Sequence, residues 1–183
     1  YNAFTQFEAV VKNLPSGVHK LSVLVDNSFS EASALHVEND YQSYGGISRG
    51  VMIEQLPKHY IKQLHFTPVC KDDTWYAQLE LVIASLDGKP WKGKVSVSLK
   101  GCDDVNENVL YTQSCSTGAG ELVLKSDLIA CENAKPWAPE HPTLYMLSAQ
   151  LEDEDGKVID DLTDRVGFRE VRTQGKDILL NGK

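Results

Sequence analysis

Three short phrases hold the side chains best placed for chemistry. Residues 39–49 (N-D-Y-Q-S-Y-G-G-I-S-R) set a carboxylate (Asp40), a phenol (Tyr44) and a guanidinium (Arg49) around two adjacent glycines, Gly45 and Gly46. Such a glycine pair allows backbone geometry closed to other residues and a close approach to a neighbouring surface. By itself Asp40 reads as a turn cap beside Asn39, because Asx side chains bond their own backbone. Arg49 carries a planar five-donor fork suited to bridging carboxylates or carbonyls, and its plain role is to fix loop geometry. Residues 137–145 (W-A-P-E-H-P-T-L-Y) place Glu140 next to His141, the side-chain types of general acid–base catalysis. Pro139 and Pro142 stiffen that stretch into an extended connector, a poor setting for proton transfer, and Trp137 and Tyr145 read as large apolar anchors. Residues 164–169 (D-R-V-G-F-R) alternate apolar and basic side chains. Val166, Phe168 and Val171 are expected on one face and Arg165 and Arg169 on the other, where Asp160, Asp161 and Asp164 offer surface ion pairs worth about 0–1 kcal/mol each.

No Ser/His/Asp grouping, Gly-rich phosphate loop or metal-ligand spacing occurs, so no catalytic residue, metal site or cofactor is assigned. Cys70, Cys102, Cys115 and Cys131 are widely spaced and lack C-x-x-C pairs. A chain of this length builds a core without staples, so all four are expected as free thiols.

These phrases need a frame, and the frame reads as all-β. Strand signals recur at short intervals, and no segment keeps a 3.6-residue apolar period over three turns. Residues 18–25 are β-rich and end at Asp26-Asn27, and residues 51–56 form an apolar run stopped by Pro57. The pattern restarts with Tyr60, Ile61, Leu64 and Phe66. It continues over 75–86, where Ala77, Leu79, Leu81 and Ile83 alternate with Gln78, Glu80 and Val82, so one face of that strand is expected to be buried. Asp87-Gly88 predicts a tight turn into 94–100, making 75–100 two neighbouring strands. Short strands over 109–111, 121–124, 144–151 and 166–171 follow, with Asp155-Gly156 turning the last pair. About seven short strands at this spacing point to an immunoglobulin-like sandwich.

The order of the phrases 137–145, 164–169 and 179–183 (L-L-N-G-K) resembles glycoside hydrolase family 2, which includes β-galactosidases, β-glucuronidases and β-mannosidases. The resemblance implies an immunoglobulin-like β-sandwich preceded by the C-terminal part of a jelly-roll β-sandwich, whose first half lies upstream. It sets residues 1–57 as partial jelly-roll, 58–172 as the immunoglobulin-like sandwich and 173–183 as lead-in to a (β/α)8 catalytic barrel. It implies that Asp40 accepts hydrogen bonds from sugar hydroxyls, while Tyr44 and Arg49 pack at a domain interface. The barrel and a terminal β-linked sugar, galactoside or glucuronide, are the implied partners of the parent enzyme.

Retaining glycosidases use two glutamates about 5–5.5 Å apart. Asn106-Glu107 mimics the pair that carries the acid/base, but it sits in a polar turn (D-D-V-N-E-N) without a second comparable glutamate, and N-x-x-R-x-x-H-Y-P is absent. The chain alone is therefore expected to be inactive. A net charge of −8 with interleaved acids and bases argues against nucleic acid, and no apolar run approaches the ~20 residues that span a bilayer. A homo-oligomer is compatible with all of this. The competing class is a free-standing carbohydrate-binding or adhesion sandwich.

Overall fold

The structure, a computed structural model, describes residues 7–28, 45–47, 49–102, 107–118 and 120–183. It divides into two units, Tyr1–Glu54 and Gln55–Lys183. All strands among the described residues belong to the second: β1 His59–Lys71, β2 Thr74–Ser85, β3 Trp91–Gly101, β4 Asn108–Thr117, β5 Leu122–Lys125, β6 Ile129–Ala130, β7 Trp137–Ala138, β8 His141–Pro142, β9 Tyr145–Asp153, β10 Val158–Val166, β11 Val171–Gln174 and β12 Asp177–Leu180. They form two antiparallel sheets that face each other, one ordered β1-β2-β5 with β6 also on β2, the other β10-β9-β3-β4, plus the small hairpins β7-β8 and β11-β12. The expected all-β sandwich is what the chain builds.

Alternation places the core. Ala77, Leu79, Leu81 and Ile83 of β2 are fully buried, and across the gap Val95, Val97, Leu147, Ala149 and Leu151 are buried as completely. Successive strand side chains point to opposite faces, so a one-residue slip would carry Gln78 and Glu80 into the core in place of the β2 row. The expected single buried face holds only over the first half of β2, because Val82 and Ala84 on the other face are each 6% exposed. Where β5 ends, Ser126 keeps the ladder closed: its hydroxyl accepts the Leu79 N–H at 2.9 Å and its own N–H reaches the Leu79 carbonyl at 2.9 Å. At the sheet edges β1 and β10 each carry a register irregularity, near Ile61 and near Asp160. The Asp160 carboxylate accepts the Ile61 N–H at 2.7 Å, tying one sheet to the other where a bulge leaves a donor outside its ladder.

Three strand expectations change. Asp87-Gly88 does not close a hairpin: β2 pairs with β1, β5 and β6, whereas β3 pairs with β4 and β9. The groups a hairpin would use are taken elsewhere. The Leu86 N–H bonds Lys58 O at 2.8 Å, the Lys89 carbonyl accepts from His59 Nε2 at 3.1 Å, and Asp87 captures the Lys89 N–H at 3.1 Å. Residues 86–90 thus carry the chain from one sheet to the other.

The Asp155-Gly156 turn forms as expected, with Asp153 Oδ1 accepting from the Asp155 and Lys157 N–H groups and Gly156 at φ +77°. The strand it feeds is Val158–Val166, however, rather than 166–171. Phe168 leaves the ladder for an isolated parallel bridge to Pro136, and the chain then turns, so Val171 is exposed instead of sharing the face of Phe168.

Residues 18–25 of the first unit and 51–56, which cross its boundary, lie outside any strand, with Leu24 94% and Ile53 87% exposed. Extended segments gain stability by pairing, and no partner strand occurs among the described residues of that unit.

Candidate functional site

The phrases 137–145, 164–169 and 179–183, far apart in sequence, meet at one corner of the sandwich. Phe168 is its centre and is fully buried. Phe66 and Tyr145 meet it edge-on with centroids 5.2 Å away, and Trp75 is tilted at 5.8 Å. Such contacts add about 0.5–1.5 kcal/mol each beyond area burial. The Phe168 carbonyl accepts the Trp137 N–H at 2.8 Å, and the Tyr145 hydroxyl accepts the Lys135 N–H at 2.8 Å. The Pro-clamped connector is thereby fastened at both ends.

Gly167 lies against Trp137, where a Cβ would stand 3.1 Å from the Trp137 Cβ. Above, the Arg169 guanidinium sits 5.0 Å from the Trp137 ring centroid, a cation–π contact. The expected ion pairs of the basic stripe with Asp161 and Asp164 do not form. Among the described residues neither the Arg165 nor the Arg169 guanidinium forms an ion pair with Asp161 or Asp164; the Asp164 carboxylate accepts the Arg165 backbone N–H at 2.7 Å, and the Arg172 guanidinium bonds Glu170. An indole face offers Arg169 a contact that requires no dehydrated carboxylate, whereas exposed ion pairs gain little.

Asn181 completes the corner. Its Oδ1 accepts the Glu170 N–H at 2.9 Å, its Nδ2 donates to Trp137 O at 3.0 Å, and its backbone N–H donates to Glu170 O at 2.8 Å. It holds φ +51°, a left-handed conformation that Asn tolerates better than most residues, and Gly182 follows at φ +82°. One side chain thus ties the phrase 179–183 to Trp137 of the first phrase and to Glu170, the residue that follows the phrase 164–169. The sequence reading singled out the phrase 179–183 but missed this role, for which the Asn-Gly dipeptide was the available signal.

Asp40 and Tyr44 lie outside the described residues. Arg49 is exposed. A Cβ on Gly45 would come within 3.1 Å of the Asn27 side chain, within the same unit, and Gly46 sits at φ +109°, the unusual backbone expected of the glycine pair. Glu140 and His141 are exposed on the β7-β8 hairpin with no side-chain hydrogen bond between them. Glu107 is exposed ahead of β4 and accepts a hydrogen bond from Ser98, as a solvated loop residue does, while Asn106 is outside the described residues. All four cysteines are free, and burial pushes the Cys115 and Cys131 thiols up. No cluster of three His, Cys, Asp or Glu residues that could hold a metal occurs among the described residues.

Known proteins share this frame. A putative β-glucuronidase of Formosa agariphila is 29% identical over 182 residues, which cover 95% of this chain and 20% of that protein. The β-galactosidase BgaC of Bifidobacterium adolescentis is 28% identical over 173 residues, 92% of this chain and 16% of that protein. The crystal structure of a GH2 β-galacturonidase from Eisenbergiella tayi bound to galacturonate superposes with a TM-score of 0.74 at 45% identity, covering 86% of this chain and 27% of that one. The chain therefore spans between 16% and 27% of these relatives. The model of the family Glycosyl hydrolases family 2 matches residues 59–169, from the start of β1 to the arginine over Trp137. The chain belongs to glycosyl hydrolase family 2.

Proposed function

We propose that this chain is the non-catalytic frame of a longer retaining glycosidase that removes terminal β-linked sugars, and that it braces the catalytic barrel and helps to shape the sugar pocket. The similarity to a β-galacturonidase at 45% identity carries the reading most strongly. Galactosides and glucuronides are both cleaved by relatives as named. A β-galacturonide combines the 4-hydroxyl configuration of the first with the C6 carboxylate of the second, so it leads as the parent's substrate. In this reading residues 1–57 are the partial jelly-roll, 58–172 the immunoglobulin-like sandwich and 173–183 the lead-in to the barrel. The Asn181 tie would set the direction in which that lead-in departs.

Asp40 is proposed as an acceptor for sugar hydroxyls, with Tyr44 and Arg49 at the interface between domains. The enzyme containing this chain is to be assayed on aryl β-galacturonide, β-glucuronide and β-galactoside. Fastest turnover of the galacturonide supports the reading; hydrolysis of none of the three removes it. In that enzyme Asp40→Ala should lower kcat/KM by about 10–100-fold, the loss of one charge-assisted hydrogen bond, with folding intact. Unchanged kinetics would take Asp40 out of the pocket. The 183-residue chain alone should hydrolyse nothing and bind sugars negligibly. Submillimolar binding in isothermal titration would favour the free-standing module instead.

A further inference from the structure

Natural sheets blunt their edges. An outer strand presents a row of unpaired N–H and C=O groups, and charges, prolines or bulges normally keep another strand from adding to it. Three edges here follow that rule. β1 carries Lys62, Pro68 and Lys71, and Asp160 covers its Ile61 N–H. β10 carries Asp160, Asp161, Asp164 and Arg165. β5 is short and ends in Lys125, paired with Glu80.

β4 departs from it. It is the outer strand of the β10-β9-β3-β4 sheet, pairs among the described residues with β3 alone, and runs ten residues, N-V-L-Y-T-Q-S-C-S-T, without a charge or a proline. Its only irregularity lies near its start, where Val97 faces Tyr111 and Ser98 faces Val109. From Tyr111 to Thr117 the ladder to β3 is regular, so the opposite edge of that stretch is equally regular. Tyr111 and Cys115 point into the core, while Thr112, Ser114 and Ser116 are exposed on the outer face.

We infer that β4 is a strand-docking edge and that its occupant is the β4 of a second copy of this chain, paired antiparallel about a two-fold axis. A β-strand is what a free ladder edge recognises, and an identical antiparallel strand presents the same donors and acceptors in complementary order. Residues directly opposite in such a pair lie on the same face. Centred on Gln113, the pairing sets Thr112 against Ser114 of the other copy twice on the outer face; centred on Thr112, it sets Thr112 against its own counterpart. Thr–Thr and Thr–Ser cross-strand pairs are favourable, and like charges directly opposite are not. In a chain with a net charge of −8, a seam free of charge is where two copies approach with least repulsion. The dimer would hold one continuous eight-stranded sheet, made of the four-stranded sheet of each copy.

The test is sedimentation velocity on the full 183-residue chain, comparing the unmodified protein with Thr112→Lys/Ser114→Lys and with the charge-matched Gln78→Lys/Gln150→Lys, which places the same two lysines on exposed positions of central strands. The unmodified chain and the central-strand variant should form dimers as concentration rises, while the β4 variant should dissociate at least about tenfold more readily. Both variants reduce the net negative charge, so weaker association of the first alone cannot come from overall repulsion. Amide hydrogens in 112–116 should gain exchange protection with concentration in the unmodified chain and in the central-strand variant, and not in the β4 variant. Thermal melts confirm that the β4 variant is folded. A chain that stays monomeric at every concentration overturns the proposal, as does a dimer indifferent to the β4 lysines.

Discussion

The corner around Phe168 and the described residues of the first unit hold comparable apolar side chains in opposite states. Phe168 is 0% exposed beneath three aromatic rings, whereas Leu24 is 94% exposed. Both stretches are β-prone by residue type, so propensity does not separate them. What separates them is pairing: every long strand of the second unit has a hydrogen-bonded neighbour and an opposing sheet, and 7–28 has neither among the described residues. A β-branched or aromatic run is permission to form a strand, and tertiary contact decides whether it does.

If burial is the difference, truncation should cost much at one place and little at the other. Phe168→Ala removes the ring on which Phe66, Trp75 and Tyr145 converge, and should destabilise the chain by about 3–5 kcal/mol in denaturant unfolding. A loss below about 1 kcal/mol would mean that the corner collapses around the gap and is not the rigid element described here.

Next comes Gly93, near the start of the inner strand β3, between Asp153 of β9 and Cys115 of β4. A Cβ there would lie 2.1 Å from the Glu152 carbonyl oxygen and 2.2 Å from the Trp91 ring. A backbone carbonyl in a ladder cannot swing aside, so Gly93→Ala should cost about 1–3 kcal/mol, the usual range for overpacking. Gly118→Ala, with nothing near its Cβ position, is the matched control and should stay within about 0.5 kcal/mol.

The two regions also differ in what could be read in advance. The β2 alternation of Ala77, Leu79, Leu81 and Ile83 named four fully buried residues correctly, but it set Val82 on the opposite face, where Val82 and Ala84 are also buried, because period two says which residues share a face and not whether the second face is covered. Asp87-Gly88 misled, because a turn signal records local backbone preference and is silent on which sheet receives the next strand. Here His59 and Lys58, nearly thirty residues upstream, take the hydrogen bonds that a hairpin would need. The three C-terminal phrases were each visible, but their meeting was not: Asn181 joins Trp137 and Glu170 through bonds spanning 44 and 11 residues. The resemblance of the phrases to family 2 supplied what periodicity could not.

Asn181 sharpens the comparison at smaller scale. Asn181→Ala leaves the Glu170 N–H and the Trp137 carbonyl without their side-chain partners and should cost about 1–2 kcal/mol. The cost should be local. Glu170 and Trp137 lie at the edge of the sandwich, so amide exchange should accelerate at Glu170 and across β11-β12 while the β2 and β9 amides keep their protection. Equal acceleration everywhere would show that the corner unfolds only with the whole sandwich, and Asn181 would then be one more stabilising contact.

The smallest effect belongs to the first unit and tests the comparison from its weaker side. Leu24→Ser and Ile53→Ser replace side chains that are almost wholly in contact with water, so no apolar area is returned to solvent on unfolding. Each should change unfolding free energy by less than about 0.5 kcal/mol, as surface substitutions do. Solubility is the property that should respond, because exposed apolar side chains favour association and serine removes that tendency. Should either variant instead lose more than about 1.5 kcal/mol, the value for a buried aliphatic side chain, the first unit must bury these residues in solution. The contrast with Phe168 would then be one of degree, since both regions would draw their stability from packed apolar surface.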